Sequence, residues 1–184
     1  MMLREFANDT FVPLEFLKLK KEFNIEIAVE TGTNKGHTTR WLAENFDSVY
    51  TIEKTTKSLN EAKIYCKEFN NINYFDGTSE HLLEGIVSEL KDKRVIFFLD
   101  AHGEPFCPTN KELTHIKNMN VKPIICIHDF HVPGKDFAWG YNYKWENIES
   151  FVNDIYGDDN YEYYYNSEAN GYNVGLVYIK PKNK

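Results

Sequence analysis

Five short apolar runs in this chain each end on an acid or a histidine: Glu30, Glu53, Asp76, Asp100 and the pair His128-Asp129. Taken singly, each is explained as a cap for the helix that follows. Their recurrence at the end of every run has no counterpart in the needs of stability. Carboxylates and imidazoles brought to one rim can orient hydroxyls, take protons near neutral pH or hold a cation. Two more histidines, His102 and His131, follow closely in Asp-Ala-His and Asp-Phe-His. The run IEIAVETGTNKGHTT over 25–39 adds glycines at 32 and 36 just past the first apolar segment. A strand feeding a helix there leaves free backbone N–H groups, and glycine admits a ligand close to the backbone. Glu30 suits an ammonium and hydroxyls better than a pyrophosphate, and the G-x-x-x-x-G-K-[ST] spacing of a phosphate cradle is absent.

The elements that must position these groups alternate regularly. Residues 10–23 carry apolar side chains at Phe11, Leu14, Phe16, Leu17, Leu19 and Phe23, which predicts an amphipathic helix with Pro13 in its first turn. Strands are expected at 25–30, 49–53, 72–75, 95–100 and 123–128, with helices at 36–45, 56–69, 79–91, 110–119 and 144–156 between and after them. The fourth, VIFFL, has the continuous apolar character of a strand buried on both faces. A closing hairpin is expected from strands at 161–165 and 172–179 around a turn at 167–171. This order predicts an α/β fold: a doubly wound, Rossmann-like, mostly parallel sheet with a C-terminal antiparallel hairpin. Ligands of such sheets sit at the carboxyl ends of the strands, where strand order reverses. One domain over 1–184 is expected, with residues 1–24 forming a helix packed on it or covering the cleft.

Composition narrows the class. The 184 residues are 42% hydrophobic and 27% charged, globular values, and the net charge of −7 argues against binding nucleic-acid backbone or an anionic membrane. No apolar run approaches the roughly 20 residues of a bilayer span, and no signal-peptide core is seen at the N-terminus. Cys66, Cys107 and Cys126 are odd in number and form no C-x-x-C, so reduced thiols and a cytoplasmic location are expected. Glu53 lies about twenty residues past the glycine turn, where dinucleotide folds bind ribose hydroxyls.

The run VETGTNKGHTTRWL…VYTIEK…FFLDAHG…CPTNKELTHI…IICIHDF resembles the class I S-adenosylmethionine-dependent methyltransferase superfamily, nearest to small sugar O-methyltransferases and cephalosporin hydroxylase-like proteins. The resemblance spans roughly 25–180. It implies S-adenosylmethionine as cofactor. Glu30 would meet its amino-acid portion, Gly32, Thr33, Gly36 and Thr38 would line its methionine and ribose, and Glu53 would bind the ribose diol. The Gly-Asp-Ser/Ala that the family often carries after strand three reads Asp76-Gly77-Thr78-Ser79 here. Thr78 takes the usual acidic slot, and Gly77, Thr78 and Ser79 would meet the adenine, with Asp100 beside the sulfonium. In the metal-dependent relatives an Asp after strand four and an acidic pair after strand five hold magnesium. Here Asp100, His128 and Asp129 occupy those places, a set better suited to manganese, iron or zinc.

The resemblance further implies methyl transfer to a small hydroxylated, sugar-like acceptor. His102 is the candidate base, oriented by Asp100 or Asp129. The loops 103–110 and 130–145 would recognise the acceptor, the second through Phe130, Phe137, Trp139, Tyr141, Tyr143 and Trp145. Two other readings stand beside this one: a non-catalytic cofactor-binding subunit, and an NAD-type oxidoreductase, which T-G-T-N-K-G fits less well than G-x-G-x-x-G would. A homo-oligomer is an open possibility.

Overall fold

The computed structural model describes residues 5–101, 108–140 and 142–182. A 3-10 turn, Glu5–Asn8, precedes helix α1 (Phe11–Phe23). There follow β1 (Ile27–Thr31), α2 (His37–Asn45), β2 (Ser48–Glu53), α3 (Thr56–Tyr65), β3 (Ile72–Asp76), α4 (Ser79–Leu90), β4 (Val95–Leu99), α5 (Thr109–Ile116), β5 (Ile124–Ile127), α6 (Trp145–Tyr156), β6 (Tyr161–Tyr165) and β7 (Val177–Pro181). The seven strands form one sheet in the order β3-β2-β1-β4-β5-β7-β6. The pairs from β3 through β5 are parallel, and β7 runs antiparallel between β5 and β6.

The period-two alternation of the strands divides the core. Val29, Phe97, Leu99, Ile125 and Ile127 face α4, α5 and α6. Ala28, Ile96, Phe98, Ile124 and Cys126 face α1 and α2. All five residues of β4 are buried, because helices cover it on both sides. Each large side chain removed from water in this way contributes about 1.5–3 kcal/mol.

Ahead of α1, Phe6 inserts among Phe16, Trp41 and Phe98 at ring distances of 5.0, 5.1 and 5.2 Å. The helix start is secured by Asp9, whose Oδ1 accepts from the N–H groups of Phe11 at 2.7 Å and Val12 at 3.3 Å. The N-terminal helix therefore packs on the α2 face of the sheet.

The C-terminal hairpin departs from expectation in its second arm. Residues 172–176 do not extend β7, which begins at Val177. They are held instead by the segment after β5: Phe130 N–H donates to Gly175 O at 2.8 Å, Gly175 N–H to Ala138 O at 2.9 Å, and Ala138 N–H to Asn173 O at 2.8 Å. A side chain at 175 would put its Cβ 2.1 Å from Phe130 O, so only glycine permits this approach. Among the described residues no helix is long and apolar enough to cross a membrane.

Candidate active site

Strand order reverses between β1 and β4, and a cleft of about 500 Å³ opens at their carboxyl ends. Gly32 and Asp100 meet at its floor. Gly32 has φ +91°, and a Cβ there would lie 2.5 Å from Asp100 O, so the backbone itself forms the surface. Gly32 N–H donates to Ile52 O at 2.9 Å and Asp100 N–H to Thr31 O at 3.0 Å, which ties both turns to the sheet.

One wall comes from the end of β2. Glu53 is almost buried, and its two oxygens are held separately. Oε2 accepts from Asn34 N–H and Oε1 from Thr55 N–H, each at 2.8 Å. This clamp fixes the carboxylate against the cleft while leaving each oxygen further lone-pair capacity. The opposite wall comprises Gly77, Thr78, Ser79 and Glu80, at the start of α4, with Pro108 beyond.

Of the residues expected at a cofactor, Gly32, Glu53, Gly77, Thr78, Ser79 and Asp100 line this cleft. Glu30, Thr33, Gly36 and Thr38 do not. Glu30 is 1% exposed and points to the α2 side of the sheet, where its Oε2 accepts from Thr39 Oγ1 at 2.5 Å and Thr51 Oγ1 at 2.6 Å. Burial pushes its carboxyl up from 4.5 to about 7 against the pull of those two hydroxyls, with the charges of Asp100 and Glu53 adding to the rise. Thr33 extends the same network, its hydroxyl 2.6 Å from that of Thr51. Gly36 answers to close packing: a Cβ there would sit 2.9 Å from Ala62 Cβ on α3. Thr38 accepts the N–H of Phe6 at 2.9 Å. Glu30 thus supports the glycine turn from behind.

Asn34, Lys54, Thr55 and Ser58 also line the cleft and were not foreseen. The signal for Lys54, Thr55 and Ser58 was the position of Glu53, since the residues that follow a ligand-facing strand end must form the adjoining wall, and for Asn34 it was the glycine turn between Gly32 and Gly36. Asp76 turns aside, with its Oδ1 accepting from Thr56 Oγ1 at 3.2 Å.

Beside Asp100 the ends of β4 and β5 form a compact cluster. His128 Nδ1 lies 2.9 Å from Asp100 Oδ1 and 3.4 Å from Asp129 Oδ1. The three ligand-type atoms all fall within 4.8 Å of one another. His128 is 6% exposed and its ring stands edge-on to Phe98 at 5.7 Å, so the two carboxylates form the more open side of the cluster. Asp129 adopts φ +53°, and its carbonyl accepts from Gly140 N–H at 2.8 Å, which folds the 130–140 segment back onto the rim. Trp139 there rests on His131 at a ring distance of 4.7 Å and is 39% exposed. Phe130 and Tyr143 are buried instead, so they serve the core. His102, Cys107 and Tyr141 lie outside the described residues.

Solved structures share this fold. The O-methyltransferase from Bacillus cereus, in complex with SAH, matches with a TM-score of 0.68 at 16% identity, over 94% of this chain and 81% of that one. The O-methyltransferase TomG of tomaymycin synthesis from Streptomyces achromogenes, in complex with SAM, matches with 0.68 at 14% identity over 94% and 80%. This chain has the fold of the class I S-adenosylmethionine-dependent methyltransferases. That fold serves different acceptors, because an rRNA methylase from Streptococcus thermophilus also matches, with a TM-score of 0.58 at 15% identity over 93% and 97%. No protein-family model and no curated protein matches the sequence.

Proposed function

We propose that the chain is an S-adenosylmethionine-dependent methyltransferase acting on a hydroxyl of a small, sugar-like acceptor. The observation that carries this reading is the pairing, across one cleft, of a clamped Glu53 carboxylate with the side-chain-free floor at Gly32. The residues fit the cofactor's parts. Glu53 would accept from the ribose hydroxyls, Thr78 and Ser79 would meet the adenine edge, and Gly32 and Asp100 would flank the methionyl part. When bound, S-adenosylmethionine supplies an electrophilic methyl group on a sulfonium sulfur.

The chain's own contribution is orientation and proton removal. Asp100 stands at the cleft floor and reaches into the neighbouring cluster, so it links the cofactor side to the acceptor side. His102, two residues on, is the proposed base for the acceptor hydroxyl. Trp139 and His131 would offer a stacking face for the acceptor. The net charge of −7 favours a small molecule over nucleic acid.

A divalent ion is proposed at Asp100, His128 and Asp129. Two carboxylate oxygens and one imidazole nitrogen converge there, a mixed set that fits manganese, iron or zinc better than magnesium. The ion would supply a positive charge that lowers the pKa of an acceptor hydroxyl.

Titration calorimetry with S-adenosylmethionine, S-adenosylhomocysteine and NAD tests the cofactor assignment. Binding of the first two and not the third is expected, and binding of NAD alone overturns it. His102→Ala should retain S-adenosylhomocysteine binding and lose methyl transfer to a hydroxylated acceptor. Unchanged turnover removes His102 from the mechanism.

A further inference from the structure

Helix α1 carries two opposed apolar stripes, and only one is covered. Val12, Phe16 and Leu19 are buried against the sheet. On the far side Phe11, Leu14 and Leu17 are 40%, 65% and 40% exposed. At about 100° per residue these three lie together on one face, with Lys18 and Lys21 continuing it toward the helix C-terminus. The acidic residues of the helix are engaged at its flanks: Glu15 takes Lys18 and the Tyr164 hydroxyl, and Glu22 takes Lys180. Lys21 has no acidic partner among the described residues.

Beside the other end of the helix lies an acidic and aromatic turn. The turn before β7 is bolted to the start of α1, where Thr10 N–H donates to Asn170 Oδ1 at 2.9 Å and Asn170 Nδ2 to Thr10 Oγ1 at 2.9 Å. That turn presents Glu168, exposed and without a basic partner among the described residues, and Tyr172, 54% exposed. The apolar stripe thus runs between exposed lysines near one end of the helix and an exposed acid in the turn tied to the other.

We propose that α1 is the seam of a homodimer, with two copies antiparallel about a twofold axis at Leu14. The stripe is symmetric about that residue, so the antiparallel register sets Leu14 against Leu14 of the second copy and Phe11 against Leu17. The same register carries Lys21 of each copy toward Glu168 and Tyr172 of the other, an ion pair and a cation–π contact made twice. A self-complementary patch of this kind is what a closed twofold interface requires. Its area is that of a few helical turns, so the dimer is weak, with a dissociation constant of about 1–100 µM.

Sedimentation velocity of the full chain from about 1 to about 300 µM tests this, with the range set by that affinity. The expected result is a rise from one to two chain masses across the range. Leu14→Asp should remain monomeric throughout while binding S-adenosylhomocysteine like the unaltered chain, which shows that it folds. Lys21→Glu should raise the dissociation constant about two- to five-fold, the span of a surface ion pair, and adding Glu168→Lys should restore it. An unaltered chain that stays monomeric at the highest concentration, or a dimer indifferent to Leu14→Asp, overturns the proposal. An unchanged constant in Lys21→Glu overturns the antiparallel register. Co-sedimentation of the unaltered chain with anionic phospholipid vesicles, lost in Leu14→Asp, would assign the stripe to a membrane surface and also overturn it.

Discussion

His128 Nδ1 lies 2.9 Å from Asp100 Oδ1, joining the first residues past two adjacent parallel strands. The β4–β5 ladder ends with Leu99 opposite Ile127, so the side chains just beyond are carried to one place by the register itself. Replacing His128 by Ala should lower methyl transfer by about 10- to 100-fold or more, the range for disturbing the shell of a metal site. S-adenosylhomocysteine affinity should stay within about threefold, because His128 is not part of the cleft lining. Single-turnover transfer of labelled methyl and calorimetry separate the two. A parallel loss of both would make the histidine a structural element.

The cluster's donor set predicts metal selectivity. Manganese or zinc should raise the melting temperature of the chelated protein, as any ligand selective for the native state does, and magnesium should not. Asp129→Ala should abolish the rise. Differential scanning fluorimetry across the three ions reads it, and a magnesium-only response contradicts the donor chemistry.

Glu53 predicts an affinity. Its carboxylate is held by two backbone N–H groups with spare acceptor capacity toward the cleft. Losing charged hydrogen bonds to a ligand costs about 1.5–3 kcal/mol, so Glu53→Ala should weaken S-adenosylhomocysteine binding about 10- to 100-fold. Calorimetry decides, and a change under threefold would remove Glu53 from the ligand site.

Glu30 predicts a pH effect. Its folded carboxyl titrates at about 7, above the ordinary 4.5, because it is buried. The native state therefore holds this proton more tightly than the unfolded chain. The stabilisation is complete below 4.5 and is lost as pH rises through 7. At 1.36 kcal/mol per unit the full swing is about 3 kcal/mol. Urea midpoints should fall between about pH 4.5 and 7 in the unaltered chain, beyond the trend set by other groups. Glu30→Gln, which keeps an acceptor for Thr39 and Thr51, should flatten that fall. An equal slope in the variant would place the titration elsewhere.

Gly32→Ala should cost about 1–3 kcal/mol for its left-handed backbone alone. The added Cβ also meets Asp100 O at 2.5 Å. A lower melting temperature together with weakened S-adenosylhomocysteine binding is the expected pair. A fully stable variant would show that the two turns separate freely.

Much of the site was visible in the residues because strand ends are legible. Apolar runs have recognisable limits, and a parallel sheet sends all their carboxyl ends to one edge. Glu53, Asp100 and His128-Asp129 followed from that rule. Glu30 obeyed it in position but not in direction. A strand turns successive side chains to opposite faces, and Glu30 fell on the α2 side, where Thr39 and Thr51 enclose it. The glycines divided similarly. Gly32 serves the cleft, whereas Gly36 makes room for α3, a distinction that depends on which neighbour approaches.

The sequence by itself determined the alternation of strands and helices, the polar rim at the strand ends and the glycine turn after β1. These are local or periodic properties, written in neighbouring residues. Tertiary structure decided the strand order, the burial of Glu30, the shortening of β7 and the meeting of Asp100 with His128 and Asp129. Each of these depends on contacts between segments far apart in the chain, whose partners are chosen by packing over the whole sheet and not by any local preference.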